Sequence, residues 1–326
     1  MATISAVVLA RDEARSIARC VASLIAHVDE VLVLDTGSVD DTVARAVAAG
    51  ARVEHFAWID DFSAARNRAL ELATGDWRLV VDADEWLAAG AEEIAALRAR
   101  TPDFIGVVAQ DNAQSSGQRS ITWLPRVLPR DVTYTGRIHE QPTMTHPARR
   151  TAISLDHDGY LREQLERKDG RNRALLEAAL EADPADPYLR YQLGKDHEVS
   201  HRYEAAAPQY DAAYAATALD AAWRHDLVVR YLFTLAKAGR TGDALEVAEV
   251  ELSRWQHSAD FFFVLGDVLL EHAMAHPEQG AQLLPLIDDA WSRCLELGDT
   301  LELSGGVVGR GSHLAEHNLK VLRGEL

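Results

Sequence analysis

Residues 77–85, WRLVVDADE, form an apolar run of strand length that ends in clustered carboxylates. An unbroken run of valine and leucine is typical of a strand buried on both faces of a parallel sheet. Ligands of open α/β sheets bind at the carboxyl ends of such strands. Asp82 and Asp84 can both turn towards one hard cation, so Mg²⁺ or Mn²⁺ could bridge the protein to a diphosphate. Acidic turns after strands are commonly just solvated, so the Asp-x-Asp triplet at residues 82–84 does not by itself establish a metal site.

The segments before this strand alternate between strand and helix patterns. Apolar strand-like runs occupy residues 4–10, 30–34 and 52–56, and helical patterns occupy residues 16–27, a stretch from about residue 42, and residues 62–72. The resulting order, βαβαβαβ, predicts a parallel sheet with right-handed crossovers.

Four blocks carry a resemblance to a known family. They are residues 32–38 (LVLDTGS), 58–67 (WIDDFSAARN), 81–85 (VDADE) and 136–140 (GRIHE). In order and spacing they resemble the successive signatures of family-2 glycosyltransferases with the GT-A fold. Within that family, the chain resembles the soluble bacterial branch that joins such a domain to tetratricopeptide-like helices. That branch includes peptide glycosyltransferases of the glycocin type and enzymes similar to lipopolysaccharide-core transferases.

The resemblance implies a nucleotide-sugar donor, with UDP-glucose or UDP-N-acetylglucosamine as the default and guanosine and thymidine donors left open. It assigns Asp35 to a hydrogen bond with the nucleoside, although a turn or helix-cap acid is the alternative. Arg11 and Arg66 are candidates to contact the base edge or the diphosphate, because guanidinium matches phosphate geometry. Arg66 could equally be a surface residue of its helix.

The acidic block supplies the expected metal ligands. Asp84 is the first choice for direct coordination of Mg²⁺ or Mn²⁺, and Asp82 would support it through the ribose or a metal-bound water. Glu85 would orient the donor sugar or hold the loop. His157, in a segment that resembles the His-x-Gly-Tyr motif of the family, would complete the metal shell, with a purely structural histidine as the alternative. The metal would act as a Lewis acid on the departing diphosphate.

The acceptor side requires a base. The resemblance implies an inverting in-line displacement, which needs a general base opposite the leaving group. Glu140 is the first candidate for this base, and His139 is the second candidate or the group that orients Glu140.

Composition restricts the classes of partner and the compartment. The chain has 326 residues and a formal net charge of −18, which argues against a nucleic-acid surface or a polybasic membrane anchor but allows a basic acceptor. Cys20 and Cys294 fall at apolar helical positions and are expected to be buried, reduced thiols. No signal segment precedes the first strand, and no apolar run approaches the roughly 20 residues that span a bilayer. A cytoplasmic protein is therefore expected.

The second half of the chain has a different character. From Arg171 onward the pattern is nearly all helical, with a helix stop and restart at residues 183–187. Residues 191–210, which include Gly194 and Tyr210, resemble a tetratricopeptide unit, in which small residues let paired helices approach and aromatic residues fill the gap between them. Weaker matches to this pattern follow at intervals of about 30 to 40 residues. The predicted fold is thus a GT-A (Rossmann-like), mostly parallel α/β domain over residues 1–165 and an all-α, tetratricopeptide-like domain over residues 166–326.

Repeat arrays present concave grooves that often bind extended peptides. A peptide or protein acceptor is therefore the leading hypothesis, and a lipid-linked or core saccharide is the second. The helices could instead only form a homodimer.

Two other functional classes remain open at this point. One is a non-catalytic repeat scaffold, against which the intact acidic triplet and the block at residues 136–140 argue. The other is a nucleotidyltransferase or metal-dependent hydrolase on a similar sheet, which the lack of a P-loop, a histidine-rich cluster and a G-x-S-x-G elbow disfavours.

Overall fold

The computed structural model describes residues 1–114, 117–160 and 170–325. The chain divides into two compact units, one made of residues 1–117 and 122–169, the other of residues 118–121 and 170–326. The predicted class, a mostly parallel α/β domain and an all-helical one, is confirmed. The predicted boundary at residues 165 and 166 lies outside the described residues and stays a prediction.

The first unit alternates strands and helices up to Asp82, as the sequence predicts. Its elements are β1 (Ile4–Ala10), α1 (Ile17–Leu24), β2 (Glu30–Asp35), α2 (Thr42–Ala48), β3 (Arg52–His55), α3 (Phe62–Leu72), β4 (Trp77–Asp82), β5 (Glu85–Ala89), α4 (Ala91–Leu97), β6 (Ile105–Gln114), β7 (Arg119–Pro129), β8 (Tyr134–Thr135), β9 (Gln141–Pro142) and β10 (Ala148–Tyr160).

The main sheet has the strand order β3-β2-β1-β4-β7-β6-β10-β5. β1 runs parallel to both β2 and β4, and β2 runs parallel to β3. In this register Ala10 lies beside Asp35, and Leu9 lies beside Asp82. The carboxyl ends of these strands therefore meet at one edge of the sheet, where the acidic block begins.

Both faces of this sheet are buried, which explains the unbroken apolar runs. From β1, Ile4 and Val8 pack in the core that includes residues of α1 and α4. Val7, which points the opposite way, packs in the core that includes Leu32 and, from α3, Ala69.

The remaining strands are less regular in direction. β7 pairs antiparallel with β4, and β5 pairs antiparallel with β10, which itself runs parallel to β6. Glu85, which the sequence places in the turn after the strand, is the first residue of β5 and lies opposite His157 of β10. This pairing brings a histidine 72 positions further along the chain beside the acidic block.

The second unit is built from helices apart from one short strand. Its elements are α5 (Arg171–Ala182), α6 (Pro187–Val199), α7 (Tyr203–Ala216), α8 (Arg224–Lys237), α9 (Thr241–Glu251), α10 (Ala259–Ala275), a 3₁₀ turn (Pro277–Gln279), α11 (Gly280–Leu297), β11 (Gly306–Val307) and α12 (His313–Arg323).

Capping and small residues determine how these helices start and pack. Asp186 caps α6 by accepting from the backbone N–H groups of Tyr188 at 2.8 Å and Leu189 at 3.1 Å, and Pro187 occupies the first turn. Gly194 of α6 lies directly against the ring of Tyr210 on α7. This contact matches the expectation that a small residue lets paired helices approach while an aromatic ring fills the gap.

Both cysteines are buried and free, as expected. Within the described parts of the chain, no helix is long and apolar enough to cross a membrane.

The close contact at Gly194 makes a measurable prediction about stability. A Cβ added there would lie 2.6 Å from a Tyr210 ring carbon, so Gly194→Ala forces the two helices apart. Overpacking of this kind should lower the free energy of unfolding by about 1–3 kcal/mol in a denaturant titration. Gly242 of α9 is the matched control, because an added Cβ there meets nothing within 4 Å. Gly242→Ala should leave stability unchanged or raise it by about 0.5–1 kcal/mol.

Candidate active site

The carboxyl end of β4 and the start of β5 carry the candidate site. Asp84 and Glu85 are buried, while the Asp82 side chain is 32% exposed. Several cationic and amide side chains, contributed by α3, β6, β7 and β10, surround this short acidic segment. Each is held by an element that packs on the sheet, so the site is built on rigid structure.

Two arginines hold the Asp82 carboxylate. Arg66 from α3 donates to Oδ1, and Arg126 from β7 donates to Oδ2 at 2.7 Å. Burial alone would raise the pKa of Asp82, but the adjacent guanidinium groups of Arg126 and Arg66 outweigh it and hold the pKa well below its usual range. Asp82 is therefore a fixed anion. With both oxygens engaged by arginines, its assignment as a metal ligand receives no support from the geometry.

Arg66 also contacts residues 134–140, which are called the acceptor block below because they include the predicted base, Glu140. Its Nε donates to Glu140 Oε1 at 2.8 Å, so one buried guanidinium joins the β4 carboxylate to the candidate base. Burial lowers the pKa of Arg66, but Asp82 and Glu140 more than compensate and keep it well above the usual value. The alternative that Arg66 is a surface residue of its helix is wrong, because only 6% of the residue is exposed.

Glu85 lies on the other side of Arg126. Its Oε2 accepts from the backbone N–H of Asp82 at 2.8 Å, and its Oε1 accepts from Gln110 and from Arg126 at 3.3 Å. Burial raises the pKa of Glu85, and Arg126 opposes that shift only in part. Glu85 is buried and its carboxylate accepts from the backbone of Asp82, so these contacts fit the expectation that Glu85 holds the loop.

Asp84 and His157 face each other. His157 Nε2 lies 3.6 Å from Asp84 Oδ2, and His157 Nδ1 lies 2.8 Å from Asn112 Oδ1. Because an amide oxygen can only accept, His157 Nδ1 carries the proton of that hydrogen bond. In the neutral ring the lone pair of Nε2 is then directed towards Asp84. This outer hydrogen bond is the type that orients a metal-binding histidine.

These two side chains fit a divalent cation. A carboxylate oxygen and an imidazole nitrogen with facing lone pairs are suitable ligands for Mn²⁺ or Mg²⁺, which use few protein groups when substrate phosphates are present. Among the residues described, no group of three or more His, Cys, Asp or Glu side chains could hold a metal on its own. The site would thus depend on donor and water oxygens for its remaining ligands.

The acceptor block is fastened to α3 by more than Arg66. Asn67 accepts from the backbone N–H of Tyr134 at 2.7 Å and donates to its carbonyl at 2.9 Å. The backbone N–H of Phe62 donates to the carbonyl of Arg137 at 2.8 Å. These bonds hold the helix that contains residues 62–67 against the segment at residues 134–140.

Within the acceptor block, the backbone is unusual. His139 has a φ of +49° and Gly136 a φ of +95°, both in the left-handed region. A non-glycine residue there is uncommon and is stabilised by its surroundings; here the side chain of Gln141 donates to the His139 carbonyl at 3.1 Å. His139 is adjacent to Glu140 in sequence, and its catalytic role stays a prediction.

The two nucleoside candidates lie at the same edge but outside this cluster. Asp35 is buried and accepts from the backbone N–H groups of Gly37 at 3.1 Å and Ser38 at 3.2 Å, and its Oδ2 lies 3.4 Å from His55 Nδ1. Asp35 therefore at least stabilises its own turn, and its donor contact stays a prediction. Arg11 is exposed directly after β1, and the described structure gives it no hydrogen bond.

Three side chains of the cluster were not predicted as site residues. Arg126, Gln110 and Asn112 lie on β7 and β6, and each contacts one of the predicted residues. For Arg126 a signal existed, since it is the one charged residue in the otherwise apolar run of residues 123–129, WLPRVLP. The two amides carry no comparable signal in a polar stretch.

Comparison with known proteins is consistent with this geometry. The family model described as Glycosyl transferase family 2 matches residues 5–154. Residues 5–154 thus match a family 2 glycosyltransferase domain. All the site residues discussed above lie within this domain except His157, which follows it by three positions.

Two curated relatives extend the similarity beyond the family 2 domain. A TPR repeat-containing protein of Synechococcus elongatus is 37% identical over 210 residues, which cover 60% of this chain and 52% of that protein. The SPbeta prophage-derived glycosyltransferase SunS of Bacillus subtilis is 28% identical over 216 residues, covering 63% of this chain and 51% of that protein. The chain thus spans about half the length of the curated relatives it matches.

Among solved structures, the chain shows a partial similarity to glucosyl-3-phosphoglycerate synthase from Mycobacterium tuberculosis in complex with Mg²⁺ and uridine diphosphate. The two are 27% identical, with a TM-score of 0.29, over 34% of this chain and 44% of that one. A likeness of this extent has no bearing on the ligands of this chain.

The shared arginine generates a prediction about stability. Arg126→Met leaves Glu85 without a compensating cation and Asp82 with only one. Breaking a buried ion pair from one side typically costs about 3–5 kcal/mol, so the variant should lose about 3 kcal/mol of unfolding free energy in urea. Arg130→Met, at an exposed position just beyond β7, should change it by less than about 0.5 kcal/mol. Equal stability of the two variants would contradict the role given to Arg126.

Proposed function

We propose that the protein transfers a sugar from a nucleoside-diphosphate donor to an acceptor, with Mg²⁺ or Mn²⁺ as cofactor. UDP-glucose or UDP-N-acetylglucosamine is the donor we would test first. The observation that carries the proposal is the bridge from Asp82 through Arg66 to Glu140, because it joins the donor and acceptor halves of a family 2 glycosyltransferase domain.

On the donor side, Asp84 and His157 would hold the cation. When bound, a divalent cation neutralises charge on the diphosphate and so favours its departure. The described contacts suit this role, since Asn112 fixes the His157 ring and leaves Nε2 directed at Asp84. Arg66 and Arg126 keep Asp82 ionised beside them, where it could contact the ribose.

On the acceptor side, Glu140 would act as the general base. Arg66 holds Oε1, whereas Oε2 has no hydrogen-bond partner among the described residues and is available to take a proton. In the proposed step the acceptor nucleophile attacks the anomeric carbon, the bond from that carbon to the diphosphate breaks, and the acceptor proton passes to Glu140. Attack opposite the leaving group would invert the anomeric centre.

We propose a peptide or protein as acceptor. The helical unit supports this choice, because paired helices of repeat type present concave surfaces suited to extended chains. A lipid-linked or core saccharide is the second candidate. A non-catalytic scaffold is disfavoured, since it would need neither the fixed Asp82 anion nor the orientation of His157.

A donor screen tests the proposal directly. Purified protein is incubated with UDP-, GDP- and TDP-sugars, with Mg²⁺, Mn²⁺ or EDTA, and nucleoside diphosphate release is measured. We expect slow hydrolysis of one donor class that stops with EDTA, followed by a mass increase of one hexose or N-acetylhexosamine on an acceptor peptide. Stabilisation by nucleoside diphosphates only when a metal is present would support the donor assignment, and a pure scaffold should respond to neither.

The metal assignment predicts the behaviour of Asp84→Asn. The amide keeps the shape of the carboxylate but loses its charge, so turnover at saturating donor should fall on the order of 10²-fold or more, from loss of several kcal/mol of stabilisation. The exposed Asp103→Asn serves as control and should retain parent kinetics. A folded Asp84→Asn protein with near-parent turnover would show that the metal assignment is wrong.

The base assignment predicts a different pattern for Glu140→Gln. The amide can still accept from Arg66 but cannot take a proton, so kcat should fall by about 10²–10⁴-fold while donor affinity hardly changes. Glu71→Gln, an exposed change on α3, is the control. Weakened nucleotide binding with normal turnover would instead move Glu140 to the donor site.

A further inference from the structure

A cavity of about 440 Å³ lies within the helical unit. It is bounded by α8, α10 and α12, with Trp291 of α11 forming part of its wall. Its lining is largely apolar and includes Val264, Val268, Leu270, Trp291, Val321 and Leu322. A volume in the range of about 300–1,000 Å³ is typical of binding pockets.

Two carboxylates of α10, Asp267 and Glu271, line this largely apolar cavity, and Lys237 lines it as well. Among the residues that the structure describes, none places a cation within salt-bridge distance of Asp267. The nearby Lys237 is instead paired with Glu271. Burial raises the pKa of Asp267 to about 6, and Arg310 and Lys237 offset that shift only in part. The folded protein thus holds a carboxylate in surroundings that disfavour its charge.

Apolar side chains are also exposed at the cavity. Met274 is 65% exposed and Val321 is 57% exposed, and both contribute to the lining. A ligand group that complements large apolar side chains beside a recessed carboxylate has an apolar stem that ends in a cation. This is the chemistry of a lysine or arginine side chain, which buries its methylene groups and keeps its charge paired.

We propose that this cavity binds a lysine or arginine side chain of a polypeptide partner. The cation pairs with Asp267, the methylene stem packs on the half-buried Leu270 and Leu322, and flanking apolar residues of the partner cover Met274 and Val321. The net charge of −18 further favours a basic partner over an acidic one. The binding does not depend on the proposed sugar transfer and can be measured without a donor.

The chemistry distinguishes a polypeptide from a free amine. A small diamine would satisfy Asp267 but would leave Met274 and Val321 in water, whereas neighbouring residues of a peptide would bury them. The additional apolar area should make a peptide bind more tightly than the diamine.

The test uses the full chain and two fluorescent peptides of glycine and serine with a central leucine–lysine–leucine or leucine–norleucine–leucine triplet. Anisotropy titrations should give about tenfold tighter binding for the lysine peptide, as expected for one charge-assisted hydrogen bond. Asp267→Asn should abolish this preference. The exposed Asp289→Asn on α11, outside the cavity, should retain it.

Folding of the variants is checked by thermal denaturation. Asp267→Asn removes a charge that burial disfavours, so it should melt no lower than the parent. Equal affinity for the two peptides, including no measurable binding of either, would overturn the proposal, as would a lysine preference that survives in Asp267→Asn. Displacement of the peptide by 1,5-diaminopentane at equal concentration would overturn the assignment to a polypeptide.

Discussion

The buried guanidinium of Arg66 is the constraint on which the first unit depends. A cation so enclosed is tolerated only when anions reach it, and here Asp82 contacts its Nη2 and Glu140 its Nε. α3, the end of β4 and the acceptor block must therefore come together for the Arg66 guanidinium to be buried. The two uncharged hydrogen bonds between Asn67 and Tyr134 also hold α3 against the acceptor block. The geometry of the site therefore depends on the packing of α3.

Much of this unit could be predicted because its signals are local. The apolar runs of β1, β2 and β4 and the helix at residues 62–72 are encoded within short windows, and the parallel order follows from their alternation. The direction of β5, β6 and β10 could not be predicted in this way. Their partner strands lie far along the chain. The polar end of β6, which includes Asn112, has no strand pattern of its own, because its hydrogen bonds depend on β10. Arg126 was not predicted as a site residue for the same reason, because it contacts Asp82 and Glu85 only when β7 lies beside β4.

In the helical unit, the sequence predicted where helices begin and pack, but it did not predict the cavity at Asp267. Asp186 and Pro187 mark the start of α6 by a backbone mechanism, and the small residue at position 194 correctly indicated a close helix contact. Asp267, by contrast, looks like any acid in an amphipathic helix. Only the position of α12 relative to α8 and α10 turns it into a recessed carboxylate, and that position is not encoded locally.

The placement of the two thiols has a practical consequence. Cys20 belongs to the first unit and Cys294 to the second, and each is fully enclosed in its own core. A thiol reagent can reach either sulfur only when the surrounding helix moves away, so labelling rates in native buffer report opening of each unit separately. The molecule therefore contains two internal probes, and mass spectrometry could follow the opening of the α/β unit and of the helical unit in one sample.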